Sequence, residues 1–432
     1  MIESNRIIIV DDDEGDLRKL STVFHTHGVG CKSFLYDGFN FPAEPLIGVR
    51  FAFFDINLIQ ANQDADINAS LKDAISQFIS MENGPFILIF WSKNTDKIIQ
   101  FRDFINRSDD DFRNKLKPIL FETIDKSEFI EKDDSLEEKL DSILSKDIAK
   151  CLVRFEDDVL TAANQTLDEI LSIIPYGNSW GETADFDKNC QDVFSKIAEA
   201  TSGFSRAKTD PDSAIKESIT PIFESVLLRK STTYWKEYLQ PLKTKKHSEI
   251  VFPPMFSPAR LNTIFHIDVY KMEERLKTER GAVCEIQAEQ FDNVFNNIVK
   301  LSFDDWFART FPGLKRNDKK SAVVIALEFS AACDYSQDKK RTNKFMLGAL
   351  IEKDSIVNLD KDKVGEFLLI PPFSFNFEDK DYWIGLNLNY TFIEQENSLF
   401  LCNPKFILRK EIMDMVGNKY ANHVSRIGIT SF

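Results

Sequence analysis

Four apolar runs stand along the first third of the chain, and each closes on a polar residue. Ile7, Ile8, Ile9 and Val10 lead into Asp11; Phe51, Ala52, Phe53 and Phe54 lead into Asp55; the run "FILIFW" leads into Ser92; and "ILFETID" leads into Lys126. Runs rich in β-branched and aromatic residues, without alternation, are the pattern of strands buried on both faces, as in parallel sheets. After the first run, Leu17, Leu20, Val23 and Phe24 recur at helical spacing, and Gly28 supplies a stop. After the fourth, "SLEEKLDSILSKDIAKCL" again reads as an amphipathic helix. Strands alternating with helices predict an α/β domain over residues 1–146, built on a doubly wound parallel sheet. In such sheets ligands collect at the carboxyl ends of the strands, where Asp11, Asp12, Asp55, Ser92 and Lys126 all fall.

The pattern then changes twice. Residues 147–245 read as a helical linker or domain, in which the stretch before Pro175 runs as one long or broken helix. Residues 246–432 read as a β-rich α+β domain. There "SAVVIALEFSAACD", "NKFMLGALIE", "GEFLLIPPFSF", "YWIGLNLNYTFIE" and "SLFLCNPKFIL" predict successive strands of an antiparallel sheet or small barrel. Its prolines make "FPPMFSPARLNTIFHIDV" an irregular segment or a strand entry. Cys333, in the turn that also holds Asp334, reads as a structural cysteine and His423 as a surface histidine, rather than as a nucleophile and its base.

Composition narrows the class. With 43% apolar and 28% charged residues the chain has the make-up of a folded protein. No apolar run approaches the roughly 20 residues that span a bilayer, and the N-terminus lacks a signal-peptide layout, so a cytoplasmic location is expected. Six scattered cysteines without a C-x-x-C pair argue against zinc and against a disulfide framework. Residues 1–146 hold 27 acidic and 17 basic residues within a net charge of −15, so neither part has the basic excess of a nucleic-acid binder. No P-loop, H-E-x-x-H, G-x-S-x-G or dinucleotide fingerprint occurs, and no membrane partner is expected.

Crowded carboxylates raise one another's proton affinity unless a cation neutralises them. An all-oxygen set suits a hard divalent ion such as Mg2+, which bridges readily to a phosphoryl oxygen. With the ion on Asp11 and Asp12, Asp55 is placed to act as a nucleophile toward phosphorus, while Lys126 and Ser92 offer a cation and a hydroxyl donor to the transferring group.

The segments "IIIVDDD", "FAFFDIN", "ILIFWS" and "TIDKS", in that order, resemble the receiver domain of two-component response regulators. The resemblance covers about the first third of the chain and implies a flavodoxin-like fold. It further implies Mg2+ on Asp11, Asp12, Asp55 and the backbone carbonyl of Asn57, phosphorylation of Asp55, and contacts from Ser92 and Lys126 to the phosphoryl group. A sensor histidine kinase is the implied partner, and a homodimer through the helical linker is an open option. Lys93, Ser127 and Thr123 stand where the family usually has a small residue, a proline and an aromatic; Phe121 and Trp91 are the nearest aromatics. In architecture the long chain with an unassigned C-terminal part is similar to phosphate-buffer proteins of Detocs-type antiphage systems, which implies a phosphate sink serving a second receiver-bearing effector. The competing expectations are a C-terminal enzyme or toxin under receiver control, and a pseudo-receiver scaffold.

Overall fold

A computed structural model of the chain describes residues 6–58, 64–93, 97–108, 110–129, 133–176, 181, 183–229, 233–331, 342–360, 363–365 and 367–425. Two compact units emerge, Met1–Asn164 with Leu227–Thr244, and Gln165–Val226 with Lys245–Phe432. Among the described residues no helix is long and apolar enough to cross a membrane.

The first unit carries β1 (Ile7–Asp11), α1 (Glu14–Thr26), β2 (Lys32–Leu35), β3 (Phe51–Phe54), α2 (Asp64–Phe78), β4 (Ile87–Ser92), α3 (Lys97–Arg107), α4 (Asp111–Lys115), β5 (Leu120–Asp125), α5 (Lys126–Phe129), α6 (Asp133–Leu144) and the start of α7 (Asp147–Ser172). Its five strands are parallel in the order β2-β1-β3-β4-β5, the flavodoxin-like order. Every residue of β1, β3 and β4 is buried, because each face of the sheet has its own core. Ile8, Val10, Phe54 and Phe90 pack with Ile75, Phe78 and Phe101 of α2 and α3. Ile9, Phe53 and Trp91 pack on the other face with Leu17, Leu20, Phe129 and Leu140 of α1, α5 and α6.

Strand β2 is not evident from the hydrophobic pattern. Its four residues, KSFL, alternate between half-buried and exposed at the sheet edge, so no apolar run marks it. Of the two forms expected before Pro175, one long helix or a broken one, the broken form is found, with α6 and α7 separated at Ser145 and Lys146. Arg6 and Arg50 hold the start of α7, reaching Glu156 and Asp157.

The second unit contains, in chain order, β6 (Ile267–Asp268), β7 (Ala282–Ile286), β8 (Val323–Glu328), β9 (Asn343–Glu352), β10 (Leu368–Leu369), β11 (Phe375–Phe377), β12 (Lys380–Glu394) and β13 (Leu401–Leu408). They form an antiparallel sheet in the order β10-β12-β9-β8-β7-β13-β6, with β11 added on β12. The helix Lys410–Val424 packs Ile412, Met413 and Val416 on one side of this sheet, and Phe295, Trp306, Phe307 and Phe311 form the core of the other. Among the described residues the path ends at β10 and β6, so the described strands form an open sheet and not a closed barrel. The proline-rich segment does lead into a strand, β6, as one of its two expected forms had it, and it does so through a short helix. Ser257 caps a helix at Pro258–His266, accepting from the Arg260 N–H, with proline at the first helical position where its missing N–H costs nothing.

Candidate functional site

The parallel register sets the site. Val10 pairs with Phe54 and Phe54 with Phe90, so Asp11 and Asp55 follow level positions on adjacent strands. The Asp55 N–H donates to the Val10 carbonyl at 3.0 Å. Ser92 ends β4 opposite Asp125, and the next residue, Lys126, opens α5.

Lys126 is the centre of the cluster. Its ammonium donates to Asp11 Oδ2 at 2.6 Å and to Asp55 Oδ2 at 2.9 Å, and lies 3.3 Å from Asp16 Oδ2. Only 2% of the Lys126 side chain and none of the Asp11 side chain is exposed. Burial alone would lower the lysine pKa, but the Asp55 and Asp11 charges and hydrogen bonds overcome it and hold the group above its ordinary value. Asp11 goes the other way: burial pushes its carboxyl up to about 6, against the opposing pull of Lys126.

The three consecutive acids of the opening run have different tasks. Asp11 points into the cluster, and its Oδ1 accepts the Asp13 N–H at 3.0 Å. Asp13 caps α1, its side chain accepting from the Asp16 N–H at 3.0 Å, and that bond lowers its pKa. Asp12 remains exposed beside Asp11. One oxygen from each of Asp11, Asp12 and Asp55 lies within 4.8 Å of the others, the one such group among the described residues. Three hard oxygen donors fit a metal ion. Counting Asp16, the edge sets four carboxylates against one ammonium, and a cation would relieve that excess.

Of the expected residues, Asp11, Asp55 and Lys126 are in direct contact and Asp12 adjoins them. Ser92 is fully buried at the same sheet edge. The Asn57 N–H donates to Asp55 Oδ1 at 3.2 Å, which fixes the loop beyond β3. Sequence reasoning missed Asp16. An acid in the first turn of a helix reads as compensation for the helix dipole, and only the fold aims it at Lys126. Ser127 donates its N–H and hydroxyl to Asp125, and Lys93 is exposed. Phe121 packs edge-on against Phe90 at 5.3 Å, whereas Trp91 faces the opposite core beside Phe129 at 6.2 Å.

Cys333 and Asp334 lie outside the described residues. His423 lies on the C-terminal helix, with Nε2 2.9 Å from Asn389 Oδ1. Cys31, Cys190, Cys284 and Cys402 are free thiols. No known protein family, curated protein or solved structure matches the chain.

Proposed function

We propose that the first unit is a phospho-receiver that takes a phosphoryl group onto Asp55 from the phosphohistidine of a partner sensor kinase, with Mg2+ held by Asp11, Asp12, Asp55 and the Asn57 carbonyl. The observation that carries this reading is the buried Lys126 ammonium between Asp11 and Asp55, with Asp12 alongside, at the carboxyl edge of a parallel sheet. A carboxylate oxygen of Asp55 attacks phosphorus, a P–O bond forms, and the P–N bond breaks with its electron pair left on the imidazole. Lys126 meets the charge on the phosphoryl oxygens, and Ser92 supplies a hydroxyl donor from the neighbouring strand. Bound Mg2+ supplies the positive charge that lets a phosphoryl dianion approach an edge already rich in carboxylates. The second unit then acts through a protein partner, or the whole chain drains phosphoryl groups from the kinase as a sink. The lifetime of the aspartyl phosphate separates these roles, because a sink needs rapid turnover.

The test is incubation of the full chain with acetyl phosphate, with and without Mg2+, followed by intact mass measurement of wild type and Asp55→Asn. A single phosphoryl adduct that needs both Mg2+ and Asp55 is expected. No adduct, together with no binding of beryllofluoride, would overturn the reading and leave a scaffold.

A further inference from the structure

On the α2 and α3 side of the first unit, a cavity of about 510 Å3 opens between β4, β5, α3 and α4. Small-molecule sites run from about 300 to about 1,000 Å3, and the volume of this half-open space falls in that range. Its walls include the rings of Phe101, Phe112 and Phe121, and Phe90 backs two of them, at 5.6 Å from Phe101 and 5.3 Å from Phe121.

The lining also includes three exposed cations, Arg102, Arg113 and Lys117. None of them has a carboxylate partner among the described residues, and Arg113 uses one N–H on the Ser108 carbonyl at 3.1 Å. Neighbouring lysines behave differently: Lys72 pairs with Asp110, and Lys115 with Asp111 at 3.0 Å. In a segment with an acidic excess, uncompensated positive charge beside an aromatic cavity is a specific arrangement. We infer that this cavity binds an amphipathic monocarboxylate, with its apolar body against Phe101, Phe112 and Phe121 and its carboxylate on Arg102, Arg113 and Lys117. Charge complementarity selects the anion over a neutral molecule of the same shape, since charge-assisted hydrogen bonds are the stronger ones. The inference is independent of phosphorylation at Asp55, which lies in the strand-end cluster.

Isothermal titration of the full chain with decanoate, and with decanol as its neutral counterpart, tests it. Saturable binding of one decanoate is expected, with decanol weaker by about tenfold or more. Combining Arg102→Gln, Arg113→Gln and Lys117→Gln should bring decanoate down to the level of decanol. Asn106→Trp, at an exposed lining position on α3, should abolish binding of both. Thermal unfolding of each variant checks that the fold is intact. No saturable decanoate binding, equal binding of decanol, or decanoate binding that survives the triple substitution would each overturn the inference. A negative result here leaves an Asp55 adduct untouched, so the two readings fail separately.

Discussion

Replacing Lys126 with methionine isolates the charge at the heart of the cluster. The side chain keeps its length and apolar stem, and only the ammonium is lost. Asp11 and Asp55, 0% and 7% exposed, then face each other without a counter-charge. Removing one member of a buried ion pair costs about 3–5 kcal/mol, because the remaining charge stays desolvated. For a unit of this size that corresponds to a fall in Tm of roughly 6–20 °C. The readout is thermal unfolding in metal-free buffer, together with hydrogen exchange followed on peptides from β1, β3 and β4, which report the first unit alone. Mg2+ should restore more stability to Lys126→Met than to wild type, since the cation takes over the compensation that the ammonium gave. A variant within about 1 kcal/mol of wild type would refute the reasoning, since an ammonium that compensates two buried carboxylates cannot be lost so cheaply.

Further substitutions probe other parts of the same logic. Asp12→Asn removes an exposed acid from a site with surplus negative charge, so it should raise metal-free stability by a few tenths to about 1 kcal/mol while weakening the Mg2+ response in the same melt. Glu156→Gln loosens the contacts of Arg6 and Arg50 to α7, all partly exposed, and should cost about 0.5–1 kcal/mol, less at high salt, seen as faster exchange in the first half of α7. Gly348→Ala drives a methyl group into the carbonyl of Gly385 on the adjacent strand, and should cost about 1–3 kcal/mol in the second unit while leaving the melting of the first unit unchanged. Burial pushes the Cys284 thiol up to about 12, so at pH 8 it should resist iodoacetamide until the protein is denatured, while half-buried Cys190 reacts. Because the folded thiol keeps its proton above the point where the unfolded one loses it, Cys284 contributes stability that declines as pH rises through 9.

How much of this was legible follows from what each element has to bury. Strands β1, β3 and β4 lie between two cores, so their sequences are unbroken apolar runs and the polar residue ending each run stands out. That is why the run pattern alone places Asp11, Asp55 and Ser92 on one edge, with Lys126 after β5. Strand β2 buries too little to leave such a trace, and Asp16 carries a signal that any helix start would carry. In the second unit, β8, β9, β12 and β13 follow the strand-like runs, whereas β7 and the helix Phe303–Thr310 sit in a stretch where short apolar clusters fit either period. The cation-lined cavity was not legible at all. Its walls come from α2, α3, α4, β4 and β5, and Arg102, Arg113 and Lys117 carry no shared spacing in the chain.

The balance of charge separates a functional cluster from a merely structural one. A fold that needed Lys126 only to close the end of β5 would be served by one buried acid, or by a carbonyl. Here the ammonium has Asp11, Asp55 and Asp16 within 3.3 Å, and Asp12 adds a further carboxylate that Lys126 does not satisfy. Burial holds the Asp11 carboxyl up at about 6 with only a small addition from the Asp55 charge, whereas at Asp12 the Asp55 charge stands next to burial in raising the carboxyl. Packing gives no reason to keep the surplus, because asparagine at 12 would fill the same space without the repulsion. Perturbed carboxylates gathered at the ligand edge of a parallel sheet have a reason to persist if a cation and a phosphoryl group come there, and that is the sense in which the strand-end acids argue for chemistry.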